Sequence, residues 1–231
     1  ETDIRGFEWY YLWRQCHRFS FAQHGNHANG MCYTPDGSAL AYCYPGMREH
    51  GDIQSHIALV DMATRAVDRK FMSEYESITD LTISPDGNVI VCATGERLKV
   101  YDLETRSVQF VCDGHQGRIA GVAYSPSGEV IASLGLSDGA VILWNATTGK
   151  QLSTVPLEHH GRAIEFLADG ETIAVGNQGM EIKLFDVASG KETGTLSGGA
   201  RNADRYITSI SISEDGRFLA AAGSDKSVQL W

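Results

Sequence analysis

Short stretches of alternating apolar and polar residues recur along the chain, separated by small turn sequences. The clearest set covers residues 118–125, 129–135, 140–145 and 150–157. Alternation with a period of two is typical of half-buried antiparallel strands. The Pro-Ser-Gly and Thr-Gly sequences between them supply the backbone angles of tight reversals. The pattern therefore predicts a four-stranded antiparallel sheet.

This four-stranded unit occurs five times. Its first turn carries the glycines Gly37, Gly87, Gly128, Gly170 and Gly216, spaced 50, 41, 42 and 46 residues apart. Its third strand closes on the bulky residues Val60, Tyr101, Trp144, Phe185 and Trp231. A period of about 40–45 residues with several strands per repeat indicates a β-propeller rather than a helical solenoid. We predict an all-β propeller of five four-stranded blades.

The last predicted blade lacks an outer strand. The units span about residues 25–72, 73–112, 113–157, 158–198 and 199–231. A spare strand-like stretch, residues 17–24, precedes the first unit, and pairing it with the last blade would close the ring and cover an edge. The same count permits five blades of a larger ring. The missing initial methionine and the stop at Trp231 favour a segment of a longer protein, with further domains upstream and downstream.

The first residues follow a different period. Within residues 5–19 the apolar positions fall at helical spacing, which predicts a short amphipathic helix. These positions are Trp9, Leu12, Trp13, Cys16 and Phe19. We therefore divide the chain into an N-terminal helix or linker, residues 1–16, and a propeller, residues 17–231. The aromatic stripe suits packing against the ring, and docking of a partner or an upstream domain is the alternative.

The amino-acid composition excludes some classes of partner and location for the protein. The 231 residues carry a formal net charge of −10, which argues against a nucleic-acid or anionic-membrane surface. No apolar run reaches the roughly 18 residues of a membrane span. Five cysteines are an odd number without a CxxC pair, and most fall in or beside strand patterns. We expect reduced, buried thiols and a cytoplasmic location.

The third unit carries a distinctive set of polar residues around its tryptophan. Gly114-His115, Ser133, Asp138 and Trp144 fall where the WD-repeat family places its Gly-His and Trp-Asp signatures. The chain resembles that family over about residues 17–231. The resemblance implies that His115 bridges Asp138 and Ser133, and that the Trp144 indole reaches Ser133. Since a buried aspartate needs good hydrogen bonds, such a network is chemically reasonable. We interpret Trp144 as a packing wedge rather than a binding platform.

The other units depart from this signature. Tyr101 and Phe185 replace the tryptophan in the second and fourth units, and both units lack the turn aspartate. The fifth unit keeps Asp225 and Trp231 but has Ala220 at the serine position. We expect these blades to depend on apolar packing alone.

Catalytic and metal-binding motifs are missing from the sequence. It contains no GxxxxGK[ST], GxSxG, HExxH or EF-hand pattern, so we predict neither an enzyme nor a cofactor. His24 and His27 lie near Cys32, but their spacing specifies no tetrahedral ligand set, so we predict no metal site.

A binding surface is the better hypothesis. In the topology that the resemblance implies, the loops before each innermost strand and the loops such as Leu136–Gly139 open on one face. The candidate partner-binding residues there are Arg48, His50, Tyr75, Arg118, His159, Arg162, Arg201, Arg205 and Tyr206. Arginine and tyrosine are common at interface hot spots and suit an acidic or phosphorylated peptide. We predict a non-catalytic scaffold that binds a protein or peptide partner.

Two other functions remain open. The chain also resembles propeller segments of large bacterial WD-repeat proteins, which are often linked to protein kinases, and this implies a regulatory or targeting domain of a signalling enzyme. A more distant alternative is an enzyme with its site in the central channel. That alternative requires converging carboxylates or histidines, which the strand starts RIAG, SITD and YITS do not obviously supply.

Overall fold

The computed structural model describes residues 30–45, 54–74, 76–198, 205–213 and 215–231. Within these ranges the chain is all β, with nineteen strands and no helix. The predicted N-terminal helix and the strand-like stretch 17–24 lie outside the described residues.

The strands follow one another in groups along the chain. Blade 1 contains β1 (Met31–Tyr33), β2 (Ala39–Pro45), β3 (Ser55–Asp61) and β4 (Val67–Glu74). Blade 2 contains β5 (Ile78–Ile83), β6 (Val89–Thr94), β7 (Arg97–Asp102) and β8 (Val108–Asp113). Blade 3 contains β9 (Ile119–Tyr124), β10 (Val130–Gly135), β11 (Ala140–Asn145) and β12 (Gln151–Pro156). Blade 4 contains β13 (Gly161–Phe166), β14 (Thr172–Asn177), β15 (Glu181–Asp186) and β16 (Glu192–Ser197). Blade 5 contains β17 (Ile207–Ile212), β18 (Leu219–Gly223) and β19 (Val228–Leu230).

Each group forms its own antiparallel sheet in chain order. The four strands predicted for the third unit are confirmed within two residues at each end. Trp144 on the third strand of blade 3 lies opposite Ile131 on its second strand, and Tyr101 lies opposite Ile90 in the same way in blade 2. The structure is therefore the predicted β-propeller of five blades.

Apolar side chains between consecutive blades form the core. Four buried clusters join blades 1 and 2, 2 and 3, 3 and 4, and 4 and 5. Tyr101 belongs to the first of these clusters, Trp144 to the second and Phe185 to the third. Each closing aromatic thus packs against the blade that precedes it, and this repeated contact holds the blades together.

The two outer faces of the array stay open among the described residues. None of the four core clusters joins blade 5 to blade 1. Met31 and Tyr33 on β1 are 63% and 57% exposed, and Val228 and Leu230 on β19 are 75% and 65% exposed.

Candidate interaction site

Blade 3 contains the hydrogen-bonded network that the resemblance implied. His115 Nδ1 lies 2.6 Å from Asp138 Oδ2, and His115 Nε2 lies 2.7 Å from Ser133 Oγ. The Trp144 indole N–H donates to the same Ser133 Oγ at 2.8 Å. Because a carboxylate only accepts, Nδ1 carries the proton; the serine hydroxyl can then donate to Nε2. Trp144, 2% exposed, is thus a packed residue with a satisfied N–H.

The glycine that precedes His115 is required for steric reasons. A β-carbon placed on Gly114 would lie 2.9 Å from the Trp144 ring, so only glycine allows this close approach. Gly135 is similar, because a β-carbon there would overlap the Asp138 carboxyl group. Asp138 also accepts the Gln116 N–H at 3.1 Å. The network therefore needs small residues at two positions in addition to its four polar residues.

Blade 5 uses a different pair at the corresponding place. Arg205 Nη1 lies 3.6 Å from Asp225 Oδ2, where the third blade has a histidine beside its aspartate. Hydrogen bonds from the Ser227 hydroxyl and backbone N–H, together with the charge of Arg205, lower the pKa of Asp225. Arg205 is therefore partly engaged within its own blade.

Five of the nine predicted partner-binding residues are described. Arg118, His159, Arg162, Arg205 and Tyr206 all lie just before or at the start of an innermost strand, in blades 3, 4 and 5. Because the blades repeat one topology, these strand starts open on the same face of the propeller. The remaining candidates lie outside the described residues: Arg48, His50, Tyr75 and Arg201.

The structure brings some of these residues together and keeps others apart. The Arg162 guanidinium stacks over the Tyr206 ring, 4.0 Å from its centroid, across the boundary between blades 4 and 5. Arg118 reaches towards blade 2, where its Nη2 lies 3.4 Å from Ser77 Oγ. His159 instead lines a separate groove of about 180 Å³.

A feature that the sequence did not indicate sits in the middle of the ring. The innermost strands of all five blades line a central cavity of about 400 Å³. Asp80 on β5, within the SITD strand start, and Glu165 on β13 both line it, so two carboxylates face the same cavity. Burial raises the pKa of Asp80 to about 6. Burial, followed by the nearby Asp80 charge, raises the pKa of Glu165 to about 7.

Local bulges explain why these side chains reach the cavity. The pairing register shifts by one residue near the start of four innermost strands, at Thr79, Ala120, Arg162 and Thr208. An extra residue in one strand changes the facing of the residues around it. All four bulged residues line the cavity.

Antiparallel sheets that repeat around a central cavity define a β-propeller. The model of the family described as WD domain, G-beta repeat, matches residues 69–102, 106–145 and 190–231, which together make up half of the chain. The chain belongs to this family, whose propellers are generally non-catalytic scaffolds.

Relatives with the same repeats come from distant organisms. A WD repeat-containing protein of Synechocystis sp. is 28% identical over 62% of this chain and 39% of its own length. The small ribosomal subunit protein RACK1 of Caenorhabditis elegans is 29% identical over 67% of this chain and 50% of its own. The WD repeat and SOCS box-containing protein 1 of Takifugu rubripes is 31% identical over 76% and 44%. The chain thus spans half or less of the length of these relatives.

The described residues also bear on metal binding, cysteine chemistry and membrane insertion. Its residues contain no group of three or more metal-ligating side chains, and His24 and His27 lie outside it. The described cysteines, Cys32, Cys43, Cys92 and Cys112, form no disulfide with one another, and the last three are buried. Among the described residues, no helix has the length and apolar character that crossing a bilayer requires.

Proposed function

We propose that this chain is a non-catalytic scaffold that binds an acidic or phosphorylated peptide segment of a partner protein. The binding surface is the loop face on which the innermost strands begin. The stack of Arg162 on Tyr206 carries the proposal, because it presents an arginine and an aromatic ring together at a blade boundary.

The neighbouring charges support the choice of partner. Arg118, Arg162 and Arg205 are all exposed on this face, in a chain of net charge −10. Arginine binds carboxylate and phosphate groups through bidentate hydrogen bonds, which lysine cannot form. An acidic segment crossing the loop face would meet these three guanidinium groups in succession.

The test uses fluorescein-labelled peptides, in an array of acidic and phosphoserine sequences with their unphosphorylated counterparts. The tightest binder is titrated into the protein and into an Arg118→Ala/Arg162→Ala/Arg205→Ala variant. We expect the variant to bind at least about tenfold more weakly, since each lost charge-assisted contact weakens binding by about 1 kcal/mol or more.

A matched variant controls for net charge. Lys150→Ala/Lys191→Ala/Arg217→Ala also removes three exposed positive charges, but from turns that open on the opposite face. This variant should retain the original affinity. Undiminished affinity in the loop-face variant, at an unchanged melting temperature, would exclude this face as the binding surface.

Two further aspects belong to the same proposal. We place the protein in the cytoplasm, and the four described cysteines, which form no disulfide with one another, support a reducing compartment. A regulatory or targeting role within a larger signalling enzyme is the second candidate, and determining the complete coding sequence is the experiment that tests it.

A further inference from the structure

The central cavity is lined by acidic and hydroxyl-bearing side chains. Its lining includes two carboxylates, Asp80 and Glu165, and four hydroxyl-bearing residues on the innermost strands. The hydroxyl-bearing residues are Thr79, Thr82, Thr208 and Ser209. A volume of about 400 Å³ is large enough to admit a side chain from another molecule. The cavity therefore combines negative charge, hydrogen-bonding groups and space.

Asp80 is a fixed part of the cavity wall. Its Oδ1 accepts the Leu81 N–H at 2.9 Å, and its Oδ2 accepts the Val122 N–H of the next blade at 3.0 Å. Gly30 makes room for it, since a β-carbon there would lie 2.6 Å from Oδ1. Asp80 thus contributes charge at a fixed position, with both oxygens already engaged.

Glu165 is the carboxylate that is open to a ligand. It is partly buried, and a hydrogen bond from the adjacent Phe166 N–H favours its ionised form. The cation that lines the same cavity, Arg162, stacks on Tyr206. Glu165 is therefore a partly buried acid that shares the cavity with one cation, and the guanidinium group of that cation is stacked on an aromatic ring.

The titratable groups around the cavity come from three of its five walls. Cys32 lies on β1, Asp80 on β5, and Arg162 and Glu165 on β13. Among the described lining residues, β9 and β17 add no titratable group. Burial, the largest cause, and the Asp80 charge raise the pKa of the Cys32 thiol, so the thiol stays neutral. The net charge inside the cavity is thus set by Asp80, Glu165 and the permanently charged Arg162.

We propose that the central cavity receives a cationic side chain, lysine or arginine, of a partner protein, with Glu165 as its ion-pair acceptor. An entering ammonium or guanidinium group compensates the charge of Glu165 and of the fixed Asp80. It can also donate hydrogen bonds to the hydroxyl groups of the wall. Of the three loop-face arginines, Arg162 also lines the cavity, whereas Arg118 and Arg205 do not.

The experiment uses ethylguanidinium and propylammonium chloride as probes and propylurea as the neutral counterpart. Binding is followed by NMR through the carboxyl carbon of Glu165 in protein labelled with ¹³C-glutamate. We expect both cations to bind at least about fivefold more tightly at pH 8 than at pH 5.5, because the carboxyl group must be ionised. Propylurea should not bind.

A matched pair of variants locates the site. Glu165→Gln should abolish the effect of both cations, whereas Glu171→Gln, an exposed acid of the same blade, should leave it intact. If Glu165→Gln does not fold, the pH titration of the Glu165 carboxyl carbon in the unaltered protein tests the proposal instead. A midpoint that falls when ethylguanidinium is added supports the proposal, and an unchanged midpoint overturns it.

Other outcomes also contradict the proposal. Equal binding of propylurea would mean a site without charge selectivity, and binding of Ca²⁺ or Mg²⁺ without either organic cation would mean a metal site. An Arg118→Ala/Arg205→Ala variant, which keeps the cavity-lining Arg162, should bind the probes normally, so a failure of this proposal can be distinguished from a failure of the scaffold proposal.

Discussion

A single tryptophan in blade 3 depends on a small group of residues around it. Ser133 accepts the Trp144 N–H, His115 links Ser133 to Asp138, and Gly114 leaves space for the indole. Such a chain of hydrogen bonds satisfies every polar group along it except Asp138 Oδ1, which is buried without a partner among the described residues. The network is therefore sensitive to the loss of any member.

Replacing the histidine tests this dependence. His115→Ala should lower the free energy of unfolding by about 1–3 kcal/mol, because Asp138 and Ser133 lose their buried partner. Urea unfolding followed by circular dichroism measures the change. His160→Ala, which removes an exposed histidine, should have almost no effect. Equal stability of the two variants would show that the network contributes nothing.

Some of the residues in these sites could be expected from the sequence and others could not. The network of His115, Ser133 and Asp138 could be expected from the resemblance to the WD-repeat family, which implied the contacts that the structure contains. Asp80 and Glu165 were missed, because the bulges at Thr79 and Arg162 interrupt the alternation on which such predictions depend. A rule that reads only period-two patterns cannot detect side chains that a bulge redirects.

At the scale of the strand and the blade, the repeat tolerates different closing residues. Tyr101 and Phe185 take the place of the tryptophan and still pack against the preceding blade. The third strand of blade 5 lacks an outer neighbour among the described strands, where it pairs only with β18. We propose that residues 17–24 supply that neighbour, since they read as a strand and precede blade 1 in the chain.

Deleting residues 1–24 tests this proposal. The edge amides of β19 should exchange with deuterium about tenfold faster in the shortened chain, because an uncovered edge strand opens more easily. Hydrogen exchange with mass spectrometry resolves the Val228–Leu230 segment. The outer strand of blade 2, Val108–Asp113, serves as the internal control and should not change. Equal exchange of β19 in both chains would exclude the pairing.

For the whole molecule, the repeat could be predicted from the sequence but the charge at its centre could not. Periodic turns and closing residues give the number of repeat units in this chain, although they left open whether these units form the whole ring. The cavity arises only when five innermost strands come together, so its two acids, far apart in the chain, meet through the fold alone. Their ionisation links the stability of the ring to pH.

The direction of this pH dependence follows from the raised pKa values of the two acids. The pKa of Asp80 is about 6 and that of Glu165 about 7, against ordinary values of 3.8 and 4.5. The folded protein therefore binds more protons than the unfolded chain over this range, and stability falls as the pH rises through 6 and 7. Below about pH 4 the opposite holds for turn aspartates such as Asp36, whose pKa hydrogen bonds from Thr34 and Ser38 lower to about 2.

We thus expect the urea midpoint to be highest near pH 5 and to decline towards pH 8. In Glu165→Gln the decline should be shallower, because one of the two groups no longer ionises. Urea titrations at pH 5, 6.5 and 8 measure both curves. Equal midpoints at pH 5 and pH 8 in the unaltered protein would refute the linkage.

The central claim is that the closing aromatic residues hold the blades together and take no part in binding. The most direct measurement is the free energy of unfolding of Tyr101→Ala, Trp144→Ala and Phe185→Ala. We predict a loss of about 3–5 kcal/mol in each variant, because each substitution leaves a cavity between two blades. The variants that remain folded should bind the loop-face peptide with unchanged affinity. Variants that keep their stability but lose the peptide would contradict the account.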